Sequence, residues 1–563
     1  MKNSKLILLA AAAIAAAAPA LAAHAQGLRR EPARITLTAL GSYDSGLRDE
    51  SAAEIVAHDP REQRLFVINA AQSSIDVLDI ANPAQPALVR TLSEEGGDAN
   101  SVAVHDGLVA VAFAADPKTD PGQVVFYDAR TLERLAAVTV GALPDMLTFT
   151  PNGNAVLVAN EGETDGYGEG LADPEGSVSV IDLRLTRNCL VGLPRPRPVG
   201  GMLRCLLGRD LNMDARVRTI DFRAFNDQKA ALLAQGVRIY GPGATVAQDL
   251  EPEYISVAAD GRSAWVVLQE ANAAAVLDLS NLSAPSVTRI VPFGRKNHAL
   301  PGNELDASDR DNAINIRNWP VLGLYQPDAI ASYRVRGQNY YVTANEGDDR
   351  NDFIAGEETR RVSALATSPG LDPAVFGDIT ALRNNAALGR LTVTAATSAR
   401  NALGQLTELE VIGARSFSIF NEAGSLVFDS GADFERITAA RYPLNFNASN
   451  DNNNFDDRSD NKGPEPEGVV LGTVRGRTFA FIGLERIGGV MIYDITDPAS
   501  ATFVDYVNNR DFTLSPTGAA PTDNGPEGLA FIEAKDSPTR QPLLVIGNEV
   551  SGTTTIYSVD LVD

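Results

Sequence analysis

The sequence predicts an all-β molecule, a seven-bladed β-propeller of the WD40/YVTN-like type with loop insertions. Three observations predict it: a unit of roughly 40 residues with three or four short strands recurs, seven copies can be aligned, and the last copy is incomplete while an orphan strand precedes the first.

Each copy opens on an acidic or amide residue, often after proline, and runs into an apolar strand, a turn and a second apolar strand ending on a polar group. A third strand then ends near Asp. The copies begin at Glu54, Asn100, Asp145, Glu253, Asp328, Glu467 and Glu527. Their short runs are rich in Val, Ile, Phe and Tyr and are punctuated by Asp-Gly, Asn-Gly and Arg-Gly, which is strand and turn chemistry. The final copy supplies three strands before the chain stops at Asp563, and residues 34–43 (RITLTALGSY) form the orphan strand. Pairing the two removes both exposed edges.

Residues 1–25 read as a signal peptide. Lys2 and Lys5 precede an alanine-rich apolar run, Pro19 interrupts it, and Ala23-His24-Ala25 is a small-x-small cleavage pattern. Residues 26–563 are then expected to form one domain, with no further span of the length a membrane helix needs. Insertions are expected at 184–247, 349–410 and 431–463. The first contains a helical-looking stretch from Asp221 to Gln235 and an Arg-Pro-Arg-Pro run at 195–198. The last contains NASNDNNNFDDRSD (447–460), read as a surface loop because it is too polar for a core.

A net charge of −24 disfavours nucleic acid and anionic membrane surfaces and favours cations. Of the four histidines, His24 lies in the leader, and His58, His105 and His298 are far apart, so a histidine-rich zinc site is poorly supported. Cys189 and Cys205 lie sixteen positions apart in a chain bound for an oxidising compartment. The pair reads as a local disulfide worth about 3 kcal/mol, with two packed thiols as the alternative.

The acids carry the functional signal. In a propeller the start of the first strand and the end of the second lie on one face. Glu54, Asp145, Glu253, Asp328, Glu467 and Glu527 stand at first-strand starts, and Glu161, Glu270, Glu346, Glu485 and Glu549 at second-strand ends, 16 to 22 residues beyond their partners. Such crowding raises carboxylate pKa values unless something compensates. A divalent cation is the expected compensator, calcium above others because it takes six to eight oxygen ligands; turn capping by the same acids is the alternative. Asn160, Asn345 and Asn548, which precede three of the second-strand acids, are candidate ligand contacts. So is Arg486, which would either neutralise part of the cluster or hold an anion. Asp306-Ala-Ser-Asp-Arg-Asp311 supplies three acids without EF-hand spacing, and reads as a solvated loop or a second cation site.

The strings GPGATVAQDLEPEYISVAADG, LPGNELDASDRDNAINIRNWPVLGLYQPDAI, VTANEGD, NKGPEPEGVV, FAFIGLERIGGVMIYDITDP and IGNEVSGTTTIY resemble the choice-of-anchor I family. That family includes mesenchyme-specific cell surface glycoprotein-like propellers and relatives labelled alkaline phosphatase. The resemblance implies a surface or secreted propeller. With no lipobox cysteine, and no sorting signal after the last strand, the chain is expected in the periplasm or the medium, acting as a monomer on an unidentified extracellular or envelope ligand. Two functions from different classes follow: a cation-stabilised binding or scaffold propeller, or a calcium-dependent phosphoesterase using the same acidic face. No nucleophile motif, histidine cluster or Gly-rich phosphate loop identifies a catalytic residue.

Mass spectrometry of an unreduced digest of exported protein is expected to recover Cys189 and Cys205 in one cross-linked peptide; both thiols alkylating without reductant would exclude the bridge.

Overall fold

The computed structural model describes residues 34–183, 216–354, 358–518 and 522–562. The leader, the Arg-Pro run and both cysteines lie outside the described residues, and so do the expectations placed on them.

The strands form where β-branched and aromatic residues cluster. They assemble into four-stranded antiparallel sheets, seven among the described residues, together with one five-stranded sheet. The first strands of the seven are Val56–Asp59, Gly97–His105, Pro144–Phe149, Ile255–Val257, Ile330–Val335, Pro466–Val474 and Pro526–Ile532. Each touches the next, and Pro526–Ile532 touches Val56–Asp59, so the circuit of first strands is closed. This is a β-propeller.

Middle strands are apolar on both faces because neighbouring sheets cover both. In Leu108–Ala115 seven of the eight residues are buried. The alternation survives as a choice of neighbour. Leu108, Ala110 and Ala112 pack with Leu147, Val156 and Val158 of the following sheet, whereas Val109, Val111 and Phe113 pack with Phe66, Ile68 and Val77 of the preceding one. The last interface joins Leu543, Val545 and Ile556 to Val56, Leu65 and Val67.

As expected, the N-terminal strand Arg34–Asp44 is the outer strand of the last sheet. It pairs antiparallel with Thr553–Val562, from Arg34 opposite Val562 to Asp44 opposite Thr553, and buries Ile35 in the core between the last two sheets.

The insertions differ from their sequence reading in three places. Val217–Asp221, inside the expected first insertion, is the outer strand of the third sheet and pairs with Ser177–Asp182; only after it does the chain turn helical, at Arg223–Gln228 and Lys229–Gln235. The expected insertion at 349–410 supplies Thr359–Arg361 and Thr392–Thr394, and its end the strand Glu410–Val411, to the five-stranded sheet, which also takes Arg295–Asn297 and Leu322–Leu324. That sheet has its own core around Trp319, Val321, Leu388, Leu391 and Val393. The run 447–460 is not a surface loop: Asn447, Ser449, Asn450, Asp456, Ser459 and Asp460 are buried. It tolerates burial because distant arginines satisfy its carbonyls. Arg510 donates to Ser449 and Asn452 (2.7 and 3.0 Å), and Arg415 donates to Ser459 and Asn461 (2.8 and 2.6 Å). No helix among the described residues is long and apolar enough to cross a membrane.

Around the axis the first strands crowd closely. A Cβ on Gly468 would lie 2.0 Å from the Glu527 carbonyl oxygen, and one on Gly528 would lie 2.2 Å from that of Glu54. Backbone oxygens cannot yield as side chains do. Gly528→Ala is therefore expected to lower stability by about 1–3 kcal/mol, the range of overpacked cores, read as a fall in melting temperature; an unchanged melting point would show that the circuit can loosen there.

Candidate functional site at the channel mouth

The entry of each first strand sets where its acid points. In three sheets the Pro-acid pair sits at a break in register. Pro144 pairs with Asn160 and pairing resumes only at Leu147; Pro466 and Val469, and Pro526 and Leu529, repeat the pattern. Proline has no N–H to give the ladder, and a bulge leaves the next residues unpaired and re-aims them. Asp145, Glu467 and Glu527 occupy those bulges. Glu54 and Glu253 instead use their own N–H groups, on the carbonyls of Ile68 and Val267 (3.1 Å each).

A cavity of about 340 Å³ on the axis is lined by Glu54, Asn100, Asp145, Tyr254, Asp328 and Glu527 among others. A second, of about 670 Å³, continues towards the opposite end past Ile55, Met146 and Tyr254, which line both.

The eleven acids form one set of mutually repelling charges. Burial and Glu163, Asp145, Glu251 and Glu270 push Glu161 well up. Burial with Glu270, Glu161, Asp328 and Asp145 does the same to Glu253, and burial with Glu346 and Asp145 to Asp328. On the other side, burial raises Glu467 with Glu485 and Glu527, and Glu527 with Glu54 and Glu549. Burial also raises Glu485 and Glu549, each against the pull of Arg486.

Compensation is uneven. Glu346, Glu465 and Glu485 can each place an oxygen within 4.8 Å of the others, but cations already stand among them. Lys462 Nζ lies 2.6 Å from Glu346 and 3.0 Å from Glu465, and Arg486 lies 3.0 Å from both Glu465 and Glu485. Arg458 completes the set through Nε, 3.0 Å from Glu465. Although burial opposes it, these cations hold the Glu465 carboxyl well below the usual range. Arg350, fully buried, pairs with Asp249 and Glu251 and reaches to 4.0 Å of Glu270. Lys118 pairs with Glu163.

The inner arc is different. Among the described residues no lysine or arginine pairs with Glu54, Asp145, Glu161, Glu253, Asp328, Glu467 or Glu527. Glu253, Glu270, Glu467 and Glu527 each keep a buried Oε2 without a hydrogen-bond partner. For Glu270, burial raises the carboxyl while Arg350, 4.0 Å away, lowers it. Buried, unpaired carboxylates of this kind are costly and must take up protons or cations.

The three asparagines have another role. Asn160 Nδ2 donates to the hydroxyls of Ser177 and Ser179 (3.2 and 3.0 Å), and its Oδ1 accepts from Gly141 N. Asn345 donates to Ser416 and Ser418 (3.2 and 2.9 Å), and Asn548 to the Thr553 hydroxyl (3.2 Å). Each is buried and pins the end of a second strand to the start of the third, so its amide is engaged within the sheet and does not face a ligand. Arg486 neutralises acids and also donates to Asn450 Oδ1 (2.9 Å), which leaves it engaged rather than free for an anion. Sequence reasoning missed Glu251, Glu465, Glu163, Asp348, Lys462, Arg458 and Arg350. The Glu-Pro-Glu strings at 251–253 and 465–467 carried a signal for the first two.

A family model described as the choice-of-anchor I domain matches residues 54–498. Gigasin-3a of Magallana gigas is 29% identical over 193 residues, 32% of this chain and 68% of that protein. The mesenchyme-specific cell surface glycoprotein of Strongylocentrotus purpuratus is 27% identical over 306 residues, 47% of this chain and 38% of that protein. Among solved structures, Kuenenia stuttgartiensis hydrazine synthase gives a TM-score of 0.43 at 13% identity, covering 92% of this chain and 99% of the other. The β-propeller domain of Myceliophteria thermophila Cps50 (Swd1) gives 0.40 at 9% identity, covering 93% and 100%.

The raised acids fix a pH dependence. Burial, Glu549 and Asp145 bring Glu54 up to about 8; burial, Glu163 and Glu270 bring Asp145 up to about 7. Burial brings Asp348 up to about 8 against Lys462. Between the ordinary carboxylate values and these, the folded chain holds more protons than the unfolded chain, so stability is full at the acid end and falls as pH rises. Glu465, shifted the other way, acts only below that window. In chelator, the melting temperature is expected to fall from about pH 5 to about pH 8; a flat or rising profile would show that the arc is compensated without cations.

Proposed function

We propose, from the premise that this chain belongs to the choice-of-anchor I family, that it is an exported seven-bladed propeller acting as a binding or scaffold protein, with divalent cations held in the acidic mouth of its channel. The observation that carries the reading is the unpaired inner arc: buried Oε2 atoms of Glu253, Glu467 and Glu527 with neither a hydrogen-bond partner nor an ion pair among the described residues, beside an outer group that has its own lysine and arginines. The seven-blade count is supported by the closed circuit of first strands. Action outside the cytoplasm is supported by the cell-surface name of one relative, of which this chain spans well under half, and by the leader-like N-terminus.

The donors are carboxylates around a polar cavity, a set that suits a hard cation with oxygen coordination, calcium before zinc. Glu253, Glu270 and Asp145, which raise one another, would have to draw together to make one set, and Glu467, Glu527 and Glu54 another. Cations there would neutralise the arc and leave open coordination positions facing the axis, where an anionic or carbonyl-bearing partner can bind.

Calcium at a hundredfold excess over its Kd adds about 2.7 kcal/mol to stability if only the folded chain binds it. At about pH 8 it is expected to raise the melting temperature, and Glu253→Gln with Glu527→Gln is expected to remove most of that rise while making the chelated protein more stable than wild type. Glu346 is a poorer target, because Lys462 already neutralises it. A melting temperature indifferent to both calcium and chelator would sink the cation reading. Phosphomonoester hydrolysis that disappears with chelator and in the double variant would replace binding by catalysis.

A further inference from the structure

A second group of buried oxygens lies apart from the channel acids, where the excursion 447–460 meets the loop after residue 302. After the helix Asp433–Arg441 the chain folds back on itself: Asp456 N donates to the Phe446 carbonyl and Arg458 N to that of Asn447 (2.7 and 2.8 Å). Asp306 N donates to Glu435 Oε2 at 3.2 Å. Arg415 binds the parts together, donating to the Asp306 carbonyl and pairing with Glu435, 2.7 Å each.

Arg415 accounts for Glu435. It does not account for Asp306 or Asp456, which are 0% and 2% exposed and have no lysine or arginine partner among the described residues. Asp456 Oδ1 accepts the Ser459 hydroxyl, while its Oδ2 has no donor. Asn447, wholly buried, donates through Nδ2 to Glu435 Oε1 and Ser459 Oγ at 2.9 Å each, and its Oδ1 has no donor either. Two buried oxygens of different chemistry are thus unsatisfied on residues that both bond Ser459. Burial and the neighbouring Asp306, Asp311 and Glu435 push Asp456 up to about 8. Asp306 reaches about 7, through burial and in spite of hydrogen bonds from the backbone of Asn315 and Ser308.

We propose that Asp306, Asp456 and the Asn447 side-chain oxygen hold a divalent cation at a site separate from the channel. Its donors are two carboxylates and an amide oxygen, with no histidine or thiolate, so the class of ion is hard and calcium-like. Asp311, half-buried and bonded to Asn315 Nδ2 (2.9 Å), stands on the approach and adds negative charge. The ion would satisfy the unpartnered oxygens and lock the excursion to the loop at 303–317. Arg458 and Lys462 follow directly in the chain, so the same ion would fix the residues that compensate Glu465 and Glu346. Within the run 306–311 only Asp306 would serve the ion, since Asp309 already pairs with Arg390 (2.8 Å).

Calcium bound per chain is measured on the full protein by equilibrium dialysis with metal analysis, for wild type, Asp306→Asn/Asp456→Asn and Glu253→Gln/Glu527→Gln. The first double variant is expected to lose one calcium per chain that the channel variant retains. Hydrogen exchange of wild type with and without calcium is the second measurement, with slowed exchange expected across 447–460. Unchanged calcium content in a folded Asp306→Asn/Asp456→Asn protein would overturn the proposal. If that variant does not fold, exchange across 447–460 that ignores calcium would overturn it.

Discussion

The constraint on which the rest depends is electrostatic: a closed ring of sheets delivers carboxylates to one mouth faster than the surrounding structure can neutralise them. Every hairpin that enters the ring with an acid at its start and another at its end adds two negative charges near the same axis. In water such charges would repel weakly, but packed against one another and shielded from solvent they either bind protons, find cations or destabilise the fold. The Lys462–Glu465–Arg486 cluster shows the built-in cation solution. The inner arc has no such built-in cations, which leaves it protons or bound ions.

The two kinds of charge come from different parts of the chain. The acids belong to the repeat and recur with it: six of the seven first strands enter on an acid, three of them through a Pro-acid bulge. The compensating cations Arg350, Arg458 and Lys462 lie in or beside the excursions, each present once. The insertions therefore do more than decorate the ring: their burial over the mouth makes part of the acid cluster tolerable. Close packing enforces the arrangement, since Gly468 and Gly528 let neighbouring first strands come nearer than any side chain would allow.

This division explains what was legible in the sequence. Strand repeats, the closing N-terminal strand and the hairpin spacing that puts acids on one face are periodic, and periodic signals survive without a structure. The asparagines misled because Asn-Glu at a strand end looks the same whether the amide faces the mouth or pins Ser177, Ser416 or Thr553 across the sheet. The run 447–460 misled for a related reason. Its polarity reads as exposure only while its partners are unknown, and Arg415 and Arg510, which satisfy it, come from separate regions of the chain. The five-stranded sheet assembles from segments of two or three residues, too short to show any period.

Proximity of acids is a poor guide to where a cation is needed; unsatisfied charge is a better one. Glu346, Glu465 and Glu485 make the tightest trio among the described residues, yet Lys462, Arg458 and Arg486 already occupy the roles that ions would fill. An added metal there would have to displace fixed guanidinium and ammonium groups. Buried carboxylate and amide oxygens with neither a hydrogen bond nor an ion pair include Glu253, Glu467 and Glu527 in the mouth and Asn447 and Asp456 beneath the excursion. A buried acceptor left unsatisfied costs more than a typical hydrogen bond contributes. Those positions therefore have the most to gain from an ion, and the excursion that carries Asn447, Asp456, Arg458 and Lys462 links the two groups through a single stretch of chain.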